Sequence, residues 1–287
     1  MGAGKDFQIQ LDEKNSLPLL DVRWNMMPSW KSQRRYIPWM NNEGTILYNA
    51  MIAPLIPYPI AGALWYQGES NAGRAWQYRQ SFPLMIQNWR QDWNDEFPFL
   101  FVQLSSFGPN QSSNEGSVWA ELREAQTLTL QLPKTGMAVS TDIGNPDDIH
   151  PTNKQDVGRR LALHALHMVY GQDVTHRGPY FKKAVFASGK AEITMDDSGG
   201  ALVVKDKYGY LKGFEIAGAD KKFYYAGATV EGDKIVVRHP KVPDPKAVRY
   251  GWADAPVDCN LFNAAGLPAE PFRTDDWEMV TKSARFE

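Results

Sequence analysis

Short apolar segments alternate with helix-like segments over the middle of the chain, and this alternation constrains the fold more than any other feature. Residues 60–66 and 97–104 are apolar at consecutive positions, as in strands covered on both faces, and residues 136–140 form a third such segment. Amphipathic patterns with helical spacing separate these segments. Strands that alternate with helices predict βαβ units, and therefore an α/β fold around a parallel sheet.

The predicted helices differ in how clearly the sequence limits them. After the first strand, apolar residues recur with helical spacing at Phe82, Met85, Ile86, Trp89 and Trp93. Residues 118–130 repeat that spacing, and residues 47–56 are apolar enough for a buried helix. A further helix is predicted over residues 153–170, because Thr152 and Gln155 have the spacing of a capping box and Gly171 is a typical helix end.

Beyond Gly178 the period of the apolar residues changes to two. Apolar and polar residues alternate at Ile193/Met195, Leu202/Val204 and Ile235/Val237. Turn sequences rich in Gly and Asp separate these segments, which predicts a small antiparallel β domain. We therefore divide the chain into an irregular segment with many Pro and Trp residues (1–46), an α/β domain (47–177) and an antiparallel β domain (178–287).

Composition and charge exclude several kinds of partner. The 287 residues carry a net charge of −2, so no basic surplus exists for phosphates, and neither nucleic acid nor a membrane is expected as a partner. No apolar run approaches the roughly 18 residues of a transmembrane helix. Cys259 is the only cysteine, which excludes an internal disulfide and a cysteine-based zinc site. The first ten residues contain no apolar stretch typical of a secretory signal, which leaves the compartment open.

The sequence Gln67-Gly68-Glu69-Ser70-Asn71 directly follows the first predicted strand. Open α/β sheets bind ligands at the carboxyl ends of their strands, so this loop is a candidate site. The N–H of Gly68 can donate to a developing oxyanion, and Asn71 can add a side-chain N–H at the same point. The alternative is an ordinary polar turn, which a Gly-x-x-Asn sequence on its own favours.

His150 follows the third predicted strand and immediately precedes the capped helix. A histidine in such a loop, preceded closely by Asp147 and Asp148, can act as a general base whose tautomer is fixed by a carboxylate. The alternative is a helix-entry loop whose acidic residues favour the positive end of the helix. Taken alone, the loop supports the two interpretations about equally.

Arg123 lies on the predicted helix over residues 118–130 and is a third candidate. If its side chain faces the sheet, it can pair with Glu69 and hold the oxyanion loop. The alternative is a solvated helix face shared with Glu121 and Glu124, and the sequence favours this alternative.

Histidines elsewhere give a weaker signal. His164 and His167 have the i, i+3 spacing that permits metal binding, but the motif contains no carboxylate and no further histidine. We interpret them as ordinary helix residues, and His176 and His239 as loop residues without partners. Neither glycine-rich phosphate motif occurs. The sequence therefore predicts no metal and no cofactor.

The order of strand, Gly-x-x-Asn loop, helix, strand, Asp-x-x-His loop and helix resembles the third and fifth blocks of the SGNH (GDSL-type) hydrolases. Longer segments are similar to one branch, the sialate O-acetylesterases: LYNAMIAPLIPYPIAGALWYQGESNA, LREAQ, DDIHPTNKQDVGRRLA and NLFNAAGLPAEPFRTDDW. The resemblance runs from residue 47 to residue 277. It implies a flavodoxin-like parallel sheet, a periplasmic or secreted location, and hydrolysis of acetyl esters on a sugar, typically sialic acid, by a serine mechanism without metal.

Carried over by position, the resemblance assigns roles to the candidate residues. Gly68 and Asn71 become oxyanion-hole donors, and His150 becomes the general base. Asp147 occupies the family's Asp-x-x-His position, and the adjacent Asp148 is the alternative partner for orienting His150. The supporting residues are Gln67, Glu69 and Arg123.

The family's nucleophilic serine belongs to a block that precedes every motif matched here. The upstream serines lack the expected glycine and asparagine neighbours, and Ser70 lies inside the oxyanion loop itself. We therefore expect a sheet without its leading strand and an O-acetylated sugar as substrate. Three explanations of the missing serine stay open: a truncated gene product, one polypeptide of a cleaved enzyme whose serine lies on an upstream polypeptide, and an inactive homologue. An acetyl xylan esterase and a non-catalytic glycan-binding homologue are the alternatives.

Overall fold

The chain divides into two compact units, residues 1–55 and residues 56–287. The structure is a computed structural model, and it describes residues 8–10, 16–18, 44–196 and 199–284.

The first unit contains short elements. Strands β1 (Gln8–Gln10) and β2 (Ser16–Pro18) pair antiparallel within the segment predicted to be irregular, most of which lies outside the described residues. A π-helical turn (Tyr48–Ile52) and a 3-10 turn (Ala53–Leu55) follow. The prediction that residues 47–56 form a buried helix was wrong on burial, and the helical conformation is present only as these irregular turns. Met51 is 64 % exposed, and Pro54, which lacks an amide donor, interrupts regular helical hydrogen bonding.

The second unit begins with the predicted parallel sheet. Its strands are β3 (Ala63–Trp65), β4 (Phe99–Val102) and β5 (Thr135–Ala138), in the order β3-β4-β5. Leu64 is opposite Leu100, and Leu100 is opposite Gly136. The three predicted strands are thus confirmed, although each is shorter than the apolar run that predicted it.

Helices cover both faces of this sheet. They are α1 (Ala75–Trp93), α2 (Val118–Leu128) and α3 (Lys154–Met168). Phe99 and Phe101 of β4 share a core with residues of α1 and α2, whereas Leu100 and Val102 share a second core with α3. Because successive residues of β4 face opposite helical layers, every position of the strand is apolar.

Helix α3 begins one residue later than its capping sequence predicted. Its cap is Asn153 and not Thr152: the Asn153 side-chain oxygen accepts from the Asp156 N–H at 3.1 Å, and the Asn153 amide donates to the Asp156 carboxylate at 2.9 Å. This reciprocal pair satisfies a helix-end donor in the same way as the predicted box, but with Asn and Asp as the two residues.

Antiparallel β structure occupies the rest of the unit, as the period of two predicted. Its strands are β6 (Phe181–Ala187), β7 (Lys190–Met195), β8 (Leu202–Val204), β9 (Phe214–Ala217), β10 (Phe223–Tyr225), β11 (Gly227–Glu231), β12 (Lys234–Arg238), β13 (Ala247–Tyr250), β14 (Leu261–Asn263) and β15 (Phe272–Arg273). They form sheets of order β11-β12-β7-β6, β10-β9-β13-β15 and β14-β8. The inward residues form one buried apolar core that includes Ile193, Phe214, Ile216, Ile235 and Val248.

Strand β3 lies at the edge of the parallel sheet among the described strands. Leu64 shares the sheet face of Leu100, yet Leu64 is 67 % exposed whereas Leu100 is buried beneath α3. An apolar side chain on an open strand edge is a surface that can accept another strand. Within the described residues, no helix has the length and apolar character needed to cross a lipid bilayer.

Candidate active site

Two loops at the carboxyl ends of parallel strands meet around a cavity of 370 Å³. One loop follows β3 and the other lies between β5 and α3. The cavity is lined by Tyr66, Gln67, Glu69, Ser70, Ile149, His150 and Lys154. This is the position at which open α/β sheets bind ligands, and it brings both sequence-predicted loops to one place.

Gly68 sets the path of the first loop. Its φ is +152°, which glycine adopts readily, and a Cβ there would lie 3.4 Å from both Leu122 and Gln126 of α2. A short 3-10 helix (Glu69–Arg74) begins immediately after it, and the Asn71 N–H donates to the Gly68 carbonyl at 2.9 Å. Gly68 is buried and Asn71 half-buried, next to the lining residues of the cavity but not among them.

The second loop is held by short side-chain-to-backbone hydrogen bonds. The Asp148 carboxylate accepts from the backbone N–H of His150 at 2.8 Å, and the His150 Nδ1 lies 3.8 Å from the same oxygen. The Asp147 N–H donates to the Asn145 side chain at 3.0 Å. The imidazole is 87 % exposed. Of the two aspartates that the sequence left open, Asp148 is therefore the one in contact with His150.

The start of this loop packs tightly against the segment after β4. A Cβ at Gly144 would lie 2.3 Å from the backbone nitrogen of Ser106, so only glycine fits there. Arg160 of α3 donates to the Val139 carbonyl at 2.6 Å and makes a bidentate pair with Asp142. These contacts fix the start of the His150 loop to the sheet and to α3, and sequence reasoning did not identify Arg160.

Arg123 has a different role from either one that the sequence suggested. It is completely buried, and its guanidinium donates to the carbonyls of Leu104, Ser105, Ala253 and Asp254 at 2.6–3.0 Å. The expected pair with Glu69 is absent from the described contacts, and the expected solvated face is wrong as well. Burial lowers the pKa of the Arg123 guanidinium, with the opposing charge of Asp254 raising it. Arg123 thus ties the end of β4 to residues 253 and 254.

The histidines of α3 acquire a neighbour that sequence reasoning missed. The rings of His164 and His167 lie 5.1 Å and 3.9 Å from the ring of His176, which we had predicted to lack partners. The fold brings the loop after α3 back against the helix. Across the described residues, no group of three or more His, Cys, Asp or Glu side chains is arranged to hold a metal ion.

Three serines other than Ser70 lie near the ends of β4 and β5. Ser105 and Ser140 are buried and share a hydrogen bond of 2.7 Å, and Ser106 donates to the Thr141 carbonyl at 2.7 Å. Among the described contacts, no hydroxyl is hydrogen-bonded to the His150 ring. Within the described residues, the His150 ring therefore has no serine hydrogen-bond partner.

A parallel α/β sheet that brings a histidine loop and a Gly-x-x-Asn loop to its carboxyl edge is the arrangement of an SGNH-type hydrolase domain. Comparison with known proteins identifies a family within this class of hydrolases. A family model described as "Carbohydrate esterase, sialic acid-specific acetylesterase" matches residues 30–167. Residues 30–167 thus belong to this family of carbohydrate esterases.

Individual relatives agree with this assignment. Sialate O-acetylesterase of Mus musculus is 34 % identical over 259 residues, covering 79 % of this chain and 47 % of the mouse protein. The Homo sapiens protein of the same name is 32 % identical over 263 residues, covering 80 % and 49 %. A solved carbohydrate acetylesterase from Xanthomonas citri is 52 % identical with a TM-score of 0.78, covering 80 % of this chain and 54 % of that chain. The chain thus spans about half the length of these curated relatives.

Proposed function

We propose that this chain forms the acid–base and oxyanion side of an esterase active site that removes O-acetyl groups from sialic acid. The observation that carries the proposal is the 370 Å³ cavity in which His150 faces the Gln67–Ser70 loop. The names of the mouse, rat and human relatives give the substrate class.

The geometry supports a division of roles in acyl transfer. A serine hydroxyl attacks the acetyl carbonyl carbon while His150 takes the hydroxyl proton. Asp148, next to Nδ1, orients the ring and leaves Nε2 for proton transfer. The carbonyl oxygen, which becomes negatively charged, accepts hydrogen bonds from the Gly68 N–H and the Asn71 amide. The sugar oxygen then leaves with the proton from His150, and water hydrolyses the acetyl-serine by the same route to release acetate.

The remaining lining residues support substrate placement. Gln67 and Glu69 lie on either side of Gly68 and line the cavity, so their polar side chains can position the sugar. Arg123 acts at a distance, because it fixes the segment after β4 on which the Gly68 loop rests. We assign Arg123 a positioning role.

The nucleophile is the part of the mechanism that these residues do not supply. We propose that it arrives on a further polypeptide segment that docks along β3. The support is the open edge of that strand, with apolar Leu64 67 % exposed, and the greater length of the relatives. An O-acetylated sugar and this segment are thus the partners that we expect.

The decisive experiment is the release of acetate from O-acetylated N-acetylneuraminate by the wild-type protein and by His150→Ala. The assay is run with the chain alone and with a serine-bearing segment co-expressed. We expect turnover in at least one wild-type preparation and a loss of at least ~10² in the variant, which lacks the general base. Activity of the variant within a few-fold of wild type would refute the role of His150.

Two alternatives are decided in the same assay. An acetyl xylan esterase would release acetate from acetyl xylan and not from the acidic sugar. A non-catalytic homologue would bind acetylated glycan without hydrolysing it, even when the serine-bearing segment is present.

A further inference from the structure

Lys154 places a lysine ammonium group at the candidate active site. It is exposed, it lines the cavity together with His150, and it is the first residue of α3. The proposed general base and the proposed oxyanion donors can act without a lysine at this position. Lys154 is therefore available to contact the substrate.

The position of the ammonium group is set by contacts across the sheet. Lys154 Nζ lies 4.6 Å from the centre of the Tyr66 ring and 3.4 Å from the Tyr66 hydroxyl. The backbone of Lys154 is fixed as well, because the Asn153 cap and the Thr152 carbonyl hold the first turn of α3. A cation above an aromatic ring loses some of its freedom before any ligand arrives, which lowers the cost of binding.

Among the described residues, no carboxylate forms an ion pair with the Lys154 ammonium group. The described contacts of this side chain are both with Tyr66. Lys134, Lys212 and Lys234 differ, because each forms an ion pair with a nearby acidic side chain.

Lys154 and Glu69 give the cavity a positive and a negative side. Glu69 lines the same space, and it does not pair with Lys154. An anionic group of a ligand is attracted to the Lys154 side and repelled from the Glu69 side. A neutral acetyl ester is therefore directed toward the Gln67–Ser70 loop when its molecule also carries a carboxylate.

We propose that Lys154, held over Tyr66, binds the carboxylate of an acidic sugar ester and thereby selects acidic over neutral acetylated sugars. The inference rests on the proposed function and deepens it, because it assigns the recognition of the sugar acid to one residue. Sialic acids carry a carboxylate and acetylated xylans do not, so the same residue separates the two candidate substrates.

The test compares two substrates that differ only in this charge. O-acetylated N-acetylneuraminate and its carboxyl methyl ester are assayed with wild type, Lys154→Met and Lys154→Arg. For the acid, we expect Lys154→Met to raise KM roughly 5- to 20-fold with kcat nearly unchanged, since a charge-assisted contact made in the ground state is lost. KM for the methyl ester should not change, and Lys154→Arg should restore most of the preference.

Two further measurements sharpen the result. The wild-type preference for the acid should weaken as salt rises, because the lysine is exposed. Lys205→Met is the matched control: Lys205 Nζ also lies over an aromatic ring, 3.5 Å from the centre of Phe262, but Lys205 does not line the cavity. This variant should retain the wild-type preference.

The experiment distinguishes a failure of the Lys154 assignment from a failure of the proposed function. Equal effects of Lys154→Met on the acid and on its methyl ester, or a wild type that does not distinguish them, would overturn the assignment of Lys154. If no preparation hydrolyses either ester, the proposed function fails. Binding of N-acetylneuraminic acid and its methyl ester to the chain, followed by NMR, then decides the role of Lys154. Binding of the acid that Lys154→Met weakens supports the assignment, and the lack of such a difference overturns it.

Discussion

The Asp148 carboxylate accepts a hydrogen bond from the backbone N–H of His150 at 2.8 Å and lies 3.8 Å from the Nδ1 of the same residue. One oxygen atom therefore both shapes the loop and stands beside the imidazole. The distance to Nδ1 exceeds that of a hydrogen bond, and such contacts commonly shorten when substrate binds. The backbone N–H of Asp147 donates to the Asn145 side chain, and Asp147 makes no described contact with the His150 ring.

We predict that Asp148→Asn lowers kcat roughly 10²-fold or more, whereas Asp147→Asn changes it less than about 3-fold. Asparagine keeps the oxygen that accepts from the His150 N–H, so the loop is retained and only the charge beside Nδ1 is lost. Acetate release at saturating substrate measures the effect. The reverse order of the two variants would assign the role to Asp147, and two silent variants would mean that His150 acts without a carboxylate.

Asn71→Ala tests the oxyanion site. If the Asn71 amide donates to the transition-state oxygen, kcat should fall roughly 10²–10³-fold with little change in KM. Asn110→Ala is the control, since Asn110 is exposed and hydrogen-bonds Asp258 away from the cavity. A rise in KM with unchanged kcat would show that Asn71 binds the ground state instead.

Arg123→Lys tests the buried guanidinium. A lysine can offer three donors from one point but cannot reproduce the planar fork that reaches four carbonyls, so buried acceptors lose their partner. We expect a loss of about 3 kcal/mol or more in the free energy of unfolding in urea. Arg159→Lys, an exposed change on α3, should stay within about 0.5 kcal/mol. A loss below 1 kcal/mol for Arg123→Lys would contradict this assignment.

Glu270 makes stability depend on pH. Its carboxylate is buried and accepts from the Phe181 N–H at 3.1 Å, and burial raises its pKa to about 8 from the ordinary value of 4.5. Between these values the folded state holds a proton that the unfolded state has released, so the stabilising effect is complete below 4.5 and is lost as pH rises through 8.

Glu270→Gln, which stays neutral, should remove this decline. Between pH 5 and pH 8 the variant should gain more than about 1 kcal/mol relative to wild type in urea unfolding. Glu231→Gln, at the exposed end of β11, serves as the control. Parallel pH profiles for wild type and Glu270→Gln would show that Glu270 ionises normally.

Fluorophosphonate labelling tests where the nucleophile lies. We predict that the chain expressed alone is not labelled at any serine, and that co-expression with a serine-bearing segment yields labelling of that segment. Solubility should rise in the co-expressed sample, because the edge of β3 at Leu64 becomes covered. Stoichiometric labelling of the isolated chain at Ser70, together with acetate release, would place the nucleophile in the Gly68 loop.

Local sequence determined the elements that carry the site. The apolar runs around β4 and β5 follow from burial on both sheet faces, and the helical spacing of α1, α2 and α3 follows from burial of one stripe. The Gly68 and His150 loops could be located because a strand that ends before a helix places its loop at the carboxyl edge of the sheet. These properties depend on neighbours within a few residues, and the sequence states them directly.

Contacts between distant residues were decided by the tertiary structure. Lys154 and Tyr66 are 88 positions apart, and Arg123 bonds to carbonyls 130 and 131 positions away. No local pattern encodes which buried carbonyl a guanidinium meets, because that choice depends on how β4, α2 and the antiparallel part pack together. The contact of His150 with Asp148 was also decided in space, since two adjacent carboxylates differ only in the directions in which the folded loop points them.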